Sequence, residues 1–208
     1  MKRCVIVGGA EIRTYDRVRQ YFRPDDFFIY CDCGLRHQKA LGAEPDLIVG
    51  DFDSHEKPET DRETIVLPVK KDDTDTEFAI RESIRRGATE ITIIGGTGTR
   101  LDHVLGNISL LGIGLEEDVR MELLDANNRI RMTDHSVVLK KKQQYGKYLS
   151  LLPYSEKVTG VTLKGVKYPL DNYTMGGFNS LGISNEIVDA EASIELKSGR
   201  LLVIESRD

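Results

Sequence analysis

The sequence predicts an α/β fold followed by an all-β segment. As far as residue 126, short apolar runs alternate with amphipathic runs, which is typical of a mostly parallel sheet with flanking helices. From Asn127 onward the helical period disappears, and short alternating stretches separated by turns indicate β-strands. We therefore expect two domains in close contact, residues 1–126 and 127–208.

In the first domain, the apolar runs predict strands and the periodic amphipathic runs between them predict helices. The expected strands are Arg3–Val7, Phe27–Cys31, Leu47–Val49, Thr64–Val66, Ile91–Ile94 and Met121–Leu124. The expected helices are Tyr15–Phe22, Leu35–Leu41, Thr76–Arg86 and Leu101–Leu111. Thr74 and Glu77 have the spacing of a capping box at the start of the third helix, and Gly87 marks its end.

In the second domain, the alternating stretches predict strands that are joined by short turns. The expected strands are Ser136–Leu139, Tyr148–Leu152, Val158–Leu163, Ala192–Leu196 and Leu201–Ile204. Because Lys197–Arg200 has the composition of a tight turn, we expect a hairpin between the last two strands.

The composition argues against several classes of protein. Twenty-nine basic and 34 acidic residues give a net charge of −5, and no long basic run is present to follow a nucleic-acid backbone. No apolar stretch approaches the length of a membrane span or a signal peptide. Three cysteines, an odd number, argue against a disulfide framework, so we expect a reducing, cytoplasmic location.

Two runs of aspartates lie where apolar segments stop. Asp51 and Asp53 follow the strand that ends at Val49, and both point to the same side of an extended chain. Asp72 and Asp75 flank a helix start, where backbone amides and the helix dipole favour phosphate. Because like charges repel, and because open α/β sheets bind ligands at this edge, we expect Mg²⁺ carrying phosphate there. A solvated turn beside an ordinary helix cap is the alternative.

A glycine-rich loop, Gly95–Arg100, follows the fifth predicted strand, and its amides can approach phosphates closely. It lacks the ending of a P-loop, and Gly8–Ala10 lacks the full dinucleotide fingerprint. The next helix combines an apolar stripe with a polar face. The stripe is formed by Leu101, Val104, Leu105, Ile108 and Leu111, and the polar face by Arg100, His103 and Asn107 beside Asp102. Side chains of these types can bind phosphate, a metal ion, and the ribose or base of a nucleotide.

Two further segments carry polar or ligating residues. Cys31, Cys33 and His37 lack a fourth ligand and a second Cys pair, so a zinc site is not expected, whereas Asp32 adds a carboxylate to the same sheet edge. The segment 176–186 is dense in glycine, hydroxyls and amides. It is either a polar loop or a small pocket for a polar heterocycle.

Four motifs of the chain resemble, in the same order, those of the bacterial thiamine pyrophosphokinase family. They are Gly50–Ser54, Lys71–Glu77, Gly95–His103 with Asn107, and Ser180–Glu186. The resemblance covers nearly the whole chain. It implies a Rossmann-like α/β catalytic domain that binds ATP, a C-terminal β-sandwich that binds thiamine, and a homodimer with thiamine at the subunit interface. It also implies the reaction of ATP and thiamine, with magnesium, to thiamine diphosphate and AMP.

The resemblance also implies roles for individual residues. Asp51, Asp53, Asp72 and Asp75 look like the metal and pyrophosphate centre, and Arg100 joins them as a catalytic residue. The residues on the nucleotide side are Asp32, Gly34, Thr74, Gly96, Thr97, Arg100, Asp102, His103 and Asn107. Those on the thiamine side are Ser180, Ser184 and Asn185. Either Asp75 or Asp72 is expected to orient the hydroxyl or accept its proton.

The chain departs from the family pattern at two points. Cys33 stands where the family usually has glycine, and the absence of tryptophan leaves Tyr173 or Phe178 as the aromatic residue that stacks on thiamine. Two other classes of function stay open. The Asp-x-Asp of Asp51 and Asp53 also suits a magnesium-dependent phosphohydrolase, and a non-catalytic nucleotide-binding or thiamine-binding module would use the same loops.

Overall fold

A computed structural model describes residues 2–52, 59–70, 72–177 and 179–208. The chain clusters into two compact units, Met1–Ala126 and Asn127–Asp208. Asp53, Lys71 and Phe178 lie outside the described residues, so the predictions that concern them have no structural counterpart here. Within the described ranges, no helix has the length and apolar character that a transmembrane span requires.

The first unit is built on parallel strands. Among the described residues these are β1 (Arg3–Val7), β2 (Phe27–Cys31), β3 (Leu47–Gly50), β4 (Glu63–Val66), β5 (Glu90–Ile94) and β6 (Arg120–Leu124). Their order across the sheet is β6-β5-β1-β2-β3-β4, and neighbouring strands pair in parallel. Every residue of β1 and β3 is buried, which is the pattern of parallel strands covered on both faces.

Helical segments connect these strands. They are α1 (Tyr15–Arg19), a 3₁₀ helix (Asp32–His37), α2 (Gln38–Leu41), α3 (Asp75–Arg85) and α4 (Leu101–Glu116). The first predicted helix is shorter than expected, and the second begins as the 3₁₀ helix. Thr74 caps α3 as predicted, because its Oγ1 accepts the Glu77 amide at 3.2 Å. The Glu77 carboxylate, the other half of a capping box, instead accepts a hydrogen bond from Arg81 at 2.7 Å.

The sheet reverses its winding direction beside β1. From β1 the chain adds β2, β3 and β4 on one side, and it then returns to place β5 on the other side of β1. The loops after β1 and β5 are tied together, since the Gly8 amide donates to the Ile94 carbonyl at 2.8 Å and the Ala10 amide to the Gly95 carbonyl at 2.9 Å. A Cβ built on Gly95, which has φ +62°, would lie 2.4 Å from the Gly8 oxygen. Only glycine at position 95 therefore allows this approach.

A buried ion pair anchors the start of the first unit. The Arg3 side chain, 5% exposed, donates to the fully buried Asp26 carboxylate at 2.9 Å. Arg3 also donates to the Tyr21 carbonyl and to Thr92 Oγ1, both at 3.0 Å. Asp26 accepts the Arg23 backbone amide at 2.8 Å. A charged residue on a buried strand is tolerated because its guanidinium is paired in this way.

The second unit contains antiparallel strands. Those described are β7 (Asn128–Thr133), β8 (Val137–Lys140), β9 (Tyr148–Pro153), β10 (Lys157–Lys164), β11 (Leu170–Gly176), β12 (Asn185–Glu186), β13 (Glu191–Glu195) and β14 (Leu201–Ser206). Four of these strands are neighbours in the order β12-β9-β14-β7, and the other four form a separate sheet in the order β11-β10-β13-β8. One apolar cluster takes residues from both, including Leu151 and Val203 from the first and Val161 and Ile194 from the second.

The predicted hairpin at the end of the chain is wrong. β13 pairs with β10 and β8, whereas β14 pairs with β7 and β9, so the turn between β13 and β14 carries the chain from one sheet to the other. Gly199 has φ +99°, and a Cβ built there would lie 2.4 Å from the Lys157 carbonyl oxygen. The crossing is favoured because Ile194 and Val203 then enter the same apolar cluster from opposite sides.

Candidate functional site

The carboxyl ends of β5, β1, β2 and β3 lie side by side in the first unit, so the loops that follow them share one edge of the sheet. Two of these loops are rich in glycine, Gly8–Ala10 after β1 and Gly95–Gly98 after β5. The other two carry carboxylates, Asp32 after β2 and Asp51 after β3. This edge, next to the reversal of winding, is where open α/β sheets bind ligands.

Three predicted aspartates lie at one corner of this edge, after β2, after β3 and at the start of α3. Asp32, with φ +37°, lies beside the end of β3, because a Cβ built on Gly50 would be 3.0 Å from the Asp32 Cβ. Asp51 follows Gly50 and is half-buried. Asp75 opens α3, and its carbonyl accepts a hydrogen bond from the Cys31 thiol at the end of β2 at 3.6 Å. Asp72, in contrast, is exposed.

The Asp32 carboxylate is the most informative member of this corner. The Cys33 thiol donates to its Oδ2 at 3.1 Å. Its Oδ1 is buried, and no hydrogen bond reaches this atom from any residue that the structure describes. A buried carboxylate oxygen that accepts no hydrogen bond lowers the stability of the folded protein by about 1–3 kcal/mol or more. A bound cation would remove that cost, so the donor set fits a hard divalent metal such as Mg²⁺.

The pKa values of the two neighbouring thiols are raised. Burial, reinforced by the negative charge of Asp75, raises the pKa of the Cys31 thiol well above its usual value. Burial and the hydrogen bond to Asp32 also raise the pKa of Cys33. Within the described part of the chain, no group of three His, Cys, Asp or Glu side chains is placed to hold a metal by itself. Protein Mg²⁺ sites commonly use one or two carboxylates, with water and phosphate oxygens as the other ligands.

Side chains from α4, from β6 and from the residue after β6 hold the second glycine loop in place. Asn107 donates its side-chain amide to the Gly96 carbonyl at 2.8 Å. The Thr97 hydroxyl donates to Asp125 Oδ2 at 2.8 Å. A Cβ built on Gly96 would lie 2.7 Å from Leu123 Cδ1, so a side chain at position 96 would displace this leucine. The loop is therefore fixed in shape, as a phosphate-binding loop requires.

A cation lies at the start of α4. The Arg100 guanidinium donates to Asp102 Oδ2 at 2.6 Å and to its Oδ1 at 3.2 Å. Asp102 also accepts the His103 amide at 2.9 Å. The Arg100 hydrogen bonds, followed by the His103 amide, lower the pKa of Asp102 to about 2. Arg100, Asp102 and His103 are exposed, so a polyphosphate could reach this cation.

Two predicted nucleotide-side residues have clear structural roles. Gly34 lies in the 3₁₀ helix directly against β1, where a Cβ would be 2.1 Å from the Val7 carbonyl oxygen. Thr74 is the cap of α3. The Cβ of Cys33 lies 2.7 Å from where a Cβ on Gly9 would be, so the cysteine fills space beside the first glycine loop.

The apolar stripe predicted on α4 is only partly covered within the described chain. Leu111 is buried, whereas Leu101 and Leu105 are 72% and 64% exposed. Large leucines side by side in water are unusual unless another surface covers them.

Asp125, His37 and Tyr15 are not among the site residues predicted from the sequence. Asp125 follows β6 as Asp51 follows β3, so the same pattern of a carboxylate after an apolar strand marks it. The His37 side chain, which was considered only as a zinc ligand, contacts the Ala10 carbonyl at 2.9 Å and the Tyr15 hydroxyl at 2.8 Å. No sequence pattern signals the pairing of Tyr15 with His37.

The predicted thiamine-side residues belong to the second unit. Ser180 and Ser184 are exposed, and Ser184 has φ +58° and donates its amide to Ser150 Oγ at 3.0 Å. The buried Asn185 side chain accepts the Tyr168 amide at 3.0 Å and donates to the Tyr168 carbonyl at 2.8 Å. Asn185 therefore fixes the course of its own loop. Tyr173, on β11, is 39% exposed.

Comparisons with known proteins agree along the whole chain. The family model "Thiamin pyrophosphokinase, catalytic domain" matches residues 18–123, and "Thiamin pyrophosphokinase, vitamin B1 binding domain" matches residues 134–201. Thiamine pyrophosphokinase of Bacillus subtilis is 32% identical over 100% of both chains.

Solved structures agree with this match. The B. subtilis thiamine pyrophosphokinase structure superposes with a TM-score of 0.89 at 30% identity over 100% of both chains. That of Geobacillus thermodenitrificans gives 0.86 at 29% identity, over 99% of this chain and 98% of the other.

Proposed function

Because the chain belongs to the thiamine pyrophosphokinase family, we propose that it transfers the pyrophosphoryl group of ATP to the hydroxyl of thiamine, forming thiamine diphosphate and AMP. One observation carries the proposal within the structure. Asp32 and Asp51 follow neighbouring strands and Asp75 opens α3, beside two glycine loops at the edge of the parallel sheet, a combination suited to a metal-bound polyphosphate.

The two units would divide the substrates between them. The first, a Rossmann-like domain, would bind ATP, and this is supported by the reversal of winding between β1 and β5. The second, a β-sandwich, would bind thiamine, and this is supported by the apolar cluster shared by its sheets and by the match to a vitamin B1 binding domain. Ser180 and Ser184 are the candidate thiamine contacts, with Asn185 holding their loop.

Mg²⁺ would be held by Asp32 and Asp51, together with Asp53 from outside the described residues and with water and phosphate oxygens. The buried Asp32 Oδ1, which no described residue contacts by a hydrogen bond, supports this choice. When bound, Mg²⁺ supplies neutralisation of the negative charge on the phosphate oxygens.

In the reaction, the thiamine hydroxyl oxygen forms a bond to the β-phosphorus of ATP. The bond between that phosphorus and the oxygen bridging to the α-phosphorus breaks, and AMP leaves with this oxygen. Asp75 is our candidate to accept the hydroxyl proton, because it is half-buried at the carboxylate corner whereas Asp72 is exposed.

Alignment and charge stabilisation come from the loops. Transfer of a phosphoryl-type group needs positioning and neutralised charge more than covalent help from the protein. Arg100, now paired with Asp102, would turn toward the phosphates, and amides of the Gly95–Gly98 loop would contact them. Asn107 and Thr97 keep this loop in shape.

A homodimer and a cytoplasmic location belong to the same proposal. The exposed Leu101 and Leu105 on α4 support a second copy of the chain as the covering surface, with thiamine at the interface between subunits. Cys4 and Cys31 are buried, free thiols, which supports a reducing compartment.

The test is an assay of nucleotide products with ATP, Mg²⁺ and thiamine. We expect AMP that depends on thiamine. ADP or phosphate formed without thiamine would instead indicate a phosphohydrolase, and binding without turnover would indicate a binding module.

Variants at the aspartates sharpen this test. Asp51→Asn and Asp75→Asn should each lower turnover by at least about 100-fold, as expected for loss of a catalytic charge. Asp72→Asn should cost less, because its side chain is exposed. Asp25→Asn, an exposed carboxylate of the same unit, is the matched control. Near wild-type turnover in the first two variants would contradict the assignment.

A further inference from the structure

We propose that His37, oriented by Tyr15, is a positioning residue that holds the Gly8–Ala10 loop against the Gly95–Gly98 loop and thereby sets the affinity for ATP. The part that concerns ATP rests on the proposed function. Among the described residues, the side chain of His37 makes its hydrogen-bond contacts with Tyr15, Arg36 and Ala10, and none of these is a predicted metal ligand, so its effect is transmitted through the loop.

The hydrogen bonds define one state of the ring. The His37 side chain is 3% exposed overall, with Nε2 2.9 Å from the Ala10 carbonyl oxygen and Nδ1 2.8 Å from the Tyr15 hydroxyl. A carbonyl oxygen can only accept, so Nε2 carries the proton and Nδ1 accepts from Tyr15. Arg36 Nε also points at this Nε2, from 3.3 Å, and we assign the Nε2 proton to the Ala10 carbonyl because that contact is the shorter of the two. Arg36 instead reaches the loop by donating from Nη2 to the Gly9 carbonyl.

His37 is neutral in this arrangement. Burial, followed by the charge of Arg36, lowers the pKa of His37, while the hydrogen bond to Ala10 opposes this shift. The charged group facing the ring is Arg36, and the titratable hydroxyl facing it is Tyr15. A neutral ring is what the acceptor role of Nδ1 requires.

Ala10 links the ring to the second glycine loop. Its carbonyl accepts from His37, while its amide donates to the Gly95 carbonyl at 2.9 Å. A Cβ built on Gly98 would lie 2.9 Å from the Ala10 Cβ. A shift of Ala10 toward the space left by a missing imidazole would therefore change the contacts of both Gly95 and Gly98, the loop proposed to contact the phosphates.

Steady-state kinetics test this link with a graded set of variants. His37→Leu removes both hydrogen bonds and should raise the KM for ATP about tenfold, the size expected from one or two lost hydrogen bonds. The KM for thiamine should change less than about twofold, because that substrate is proposed to bind elsewhere. His37→Gln, which keeps a donor and an acceptor, should recover most of the loss.

Tyr15→Phe keeps the ring packing and removes only the hydroxyl, so it tests the proposal even if His37→Leu does not fold. It should raise the KM for ATP about threefold, in line with the loss of one neutral hydrogen bond. His135→Leu, an exposed histidine in the second unit, is the control and should leave both KM values unchanged. Equal changes in both KM values, or no change in Tyr15→Phe and His37→Leu, would overturn the proposal.

Two measurements separate this proposal from the proposed function. Nitrogen-15 NMR of the imidazole should show the proton on Nε2 in the wild-type protein, and a proton on Nδ1 would overturn the hydrogen-bond scheme whatever the enzyme does. Calorimetric titration with ATP and Mg²⁺ measures the affinity for ATP without turnover. The affinities of the wild type, Tyr15→Phe and His37→Leu should fall in that order, as the KM values predict. If the wild type binds ATP but makes no AMP, the proposed function fails, while the ordering of the variants still decides the role of His37.

Discussion

Replacing Arg3 by methionine should destabilise the first unit severely. The substitution keeps an unbranched side chain of similar length on β1 and removes the guanidinium that donates to Asp26, Tyr21 and Thr92. The Asp26 carboxylate, fully buried, would retain the Arg23 amide, but the cation that balances its charge would be gone. The main effect is therefore an uncompensated buried charge rather than lost packing.

The size of the effect follows from this burial. Breaking a buried ion pair by removing one partner costs about 3–5 kcal/mol. At about 4 °C per kcal/mol for a domain of this size, the melting temperature should fall by about 12–20 °C. Arg23→Met is the matched control. The Arg23–Glu90 pair is 3.0 Å apart, close to the 2.9 Å of Arg3–Asp26, but the Arg23 side chain is 51% exposed. Its loss should be about 1 kcal/mol or less.

Urea unfolding followed by far-ultraviolet circular dichroism measures these free energies. Adding Asp26→Asn to Arg3→Met removes the stranded charge and should recover at least about 2 kcal/mol relative to the sum of the two single changes. If Arg3→Met loses no more than Arg23→Met, or if the double variant shows no recovery, the pair does not act as a buried charge pair.

Three further outcomes test other parts of the molecule. Hydrogen bonds from neighbouring arginines lower the pKa of the buried Glu82 from 4.5 to about 2, so its stabilising contribution is present above pH 4.5 and is lost as pH falls toward 2. Glu82→Gln should remove up to about 3 kcal/mol at neutral pH and flatten the fall in unfolding free energy over that range, measured by urea titration at each pH; an unchanged slope would contradict the assignment. Gly95→Ala should lower the free energy of unfolding by well over the roughly 1 kcal/mol that alanine costs at a positive φ, because its Cβ would lie 2.4 Å from the Gly8 oxygen. It should also raise the KM for ATP. Gly42 has the same φ of +62° but open space around it, so Gly42→Ala measures the cost of the backbone conformation alone. If both variants lose the same free energy of unfolding, the clash with the Gly8 oxygen does not contribute. Asp32→Asn keeps a residue type that tolerates φ +37° and should leave the melting temperature unchanged or higher, while turnover falls by at least about 100-fold; retained turnover would exclude this carboxylate from the centre.

The sequence predicts the parallel sheet well because burial there is nearly complete. The apolar runs at Arg3–Val7 and Phe27–Cys31 coincide with β1 and β2 to the residue, and the carboxylates at the ends of β2 and β3 could be located by the same pattern. What the pattern does not contain is the pairing across the sheet. That Ala10 would meet Gly95 and His37 depends on the reversal of winding, which follows from contacts distant in the sequence.

The strands missed in the second unit carry too little apolar pattern to be predicted, and each has a physical reason. β7 alternates the buried Ile130 and Met132 with Arg129 and Arg131, whose side chains pair with Glu205 of β14, and two alternating apolar residues are too few to indicate a strand. β11 is mostly exposed and is held by pairing with β10 rather than by burial. β12 spans Asn185–Glu186, too short for any period to show.

The place of β14 bears on how the second unit is made. This strand lies between β7 and β9, and its pairing with β7 joins residues as far apart as Asn128 and Ser206. Until the ribosome has released Leu201–Ser206, β7 and β9 expose unpaired edges, and the apolar cluster lacks Leu201 and Val203. Nascent chains stalled before β14 should therefore bind holdase chaperones through this unit. The six parallel strands of the first unit, which end with β6, can already have folded by then.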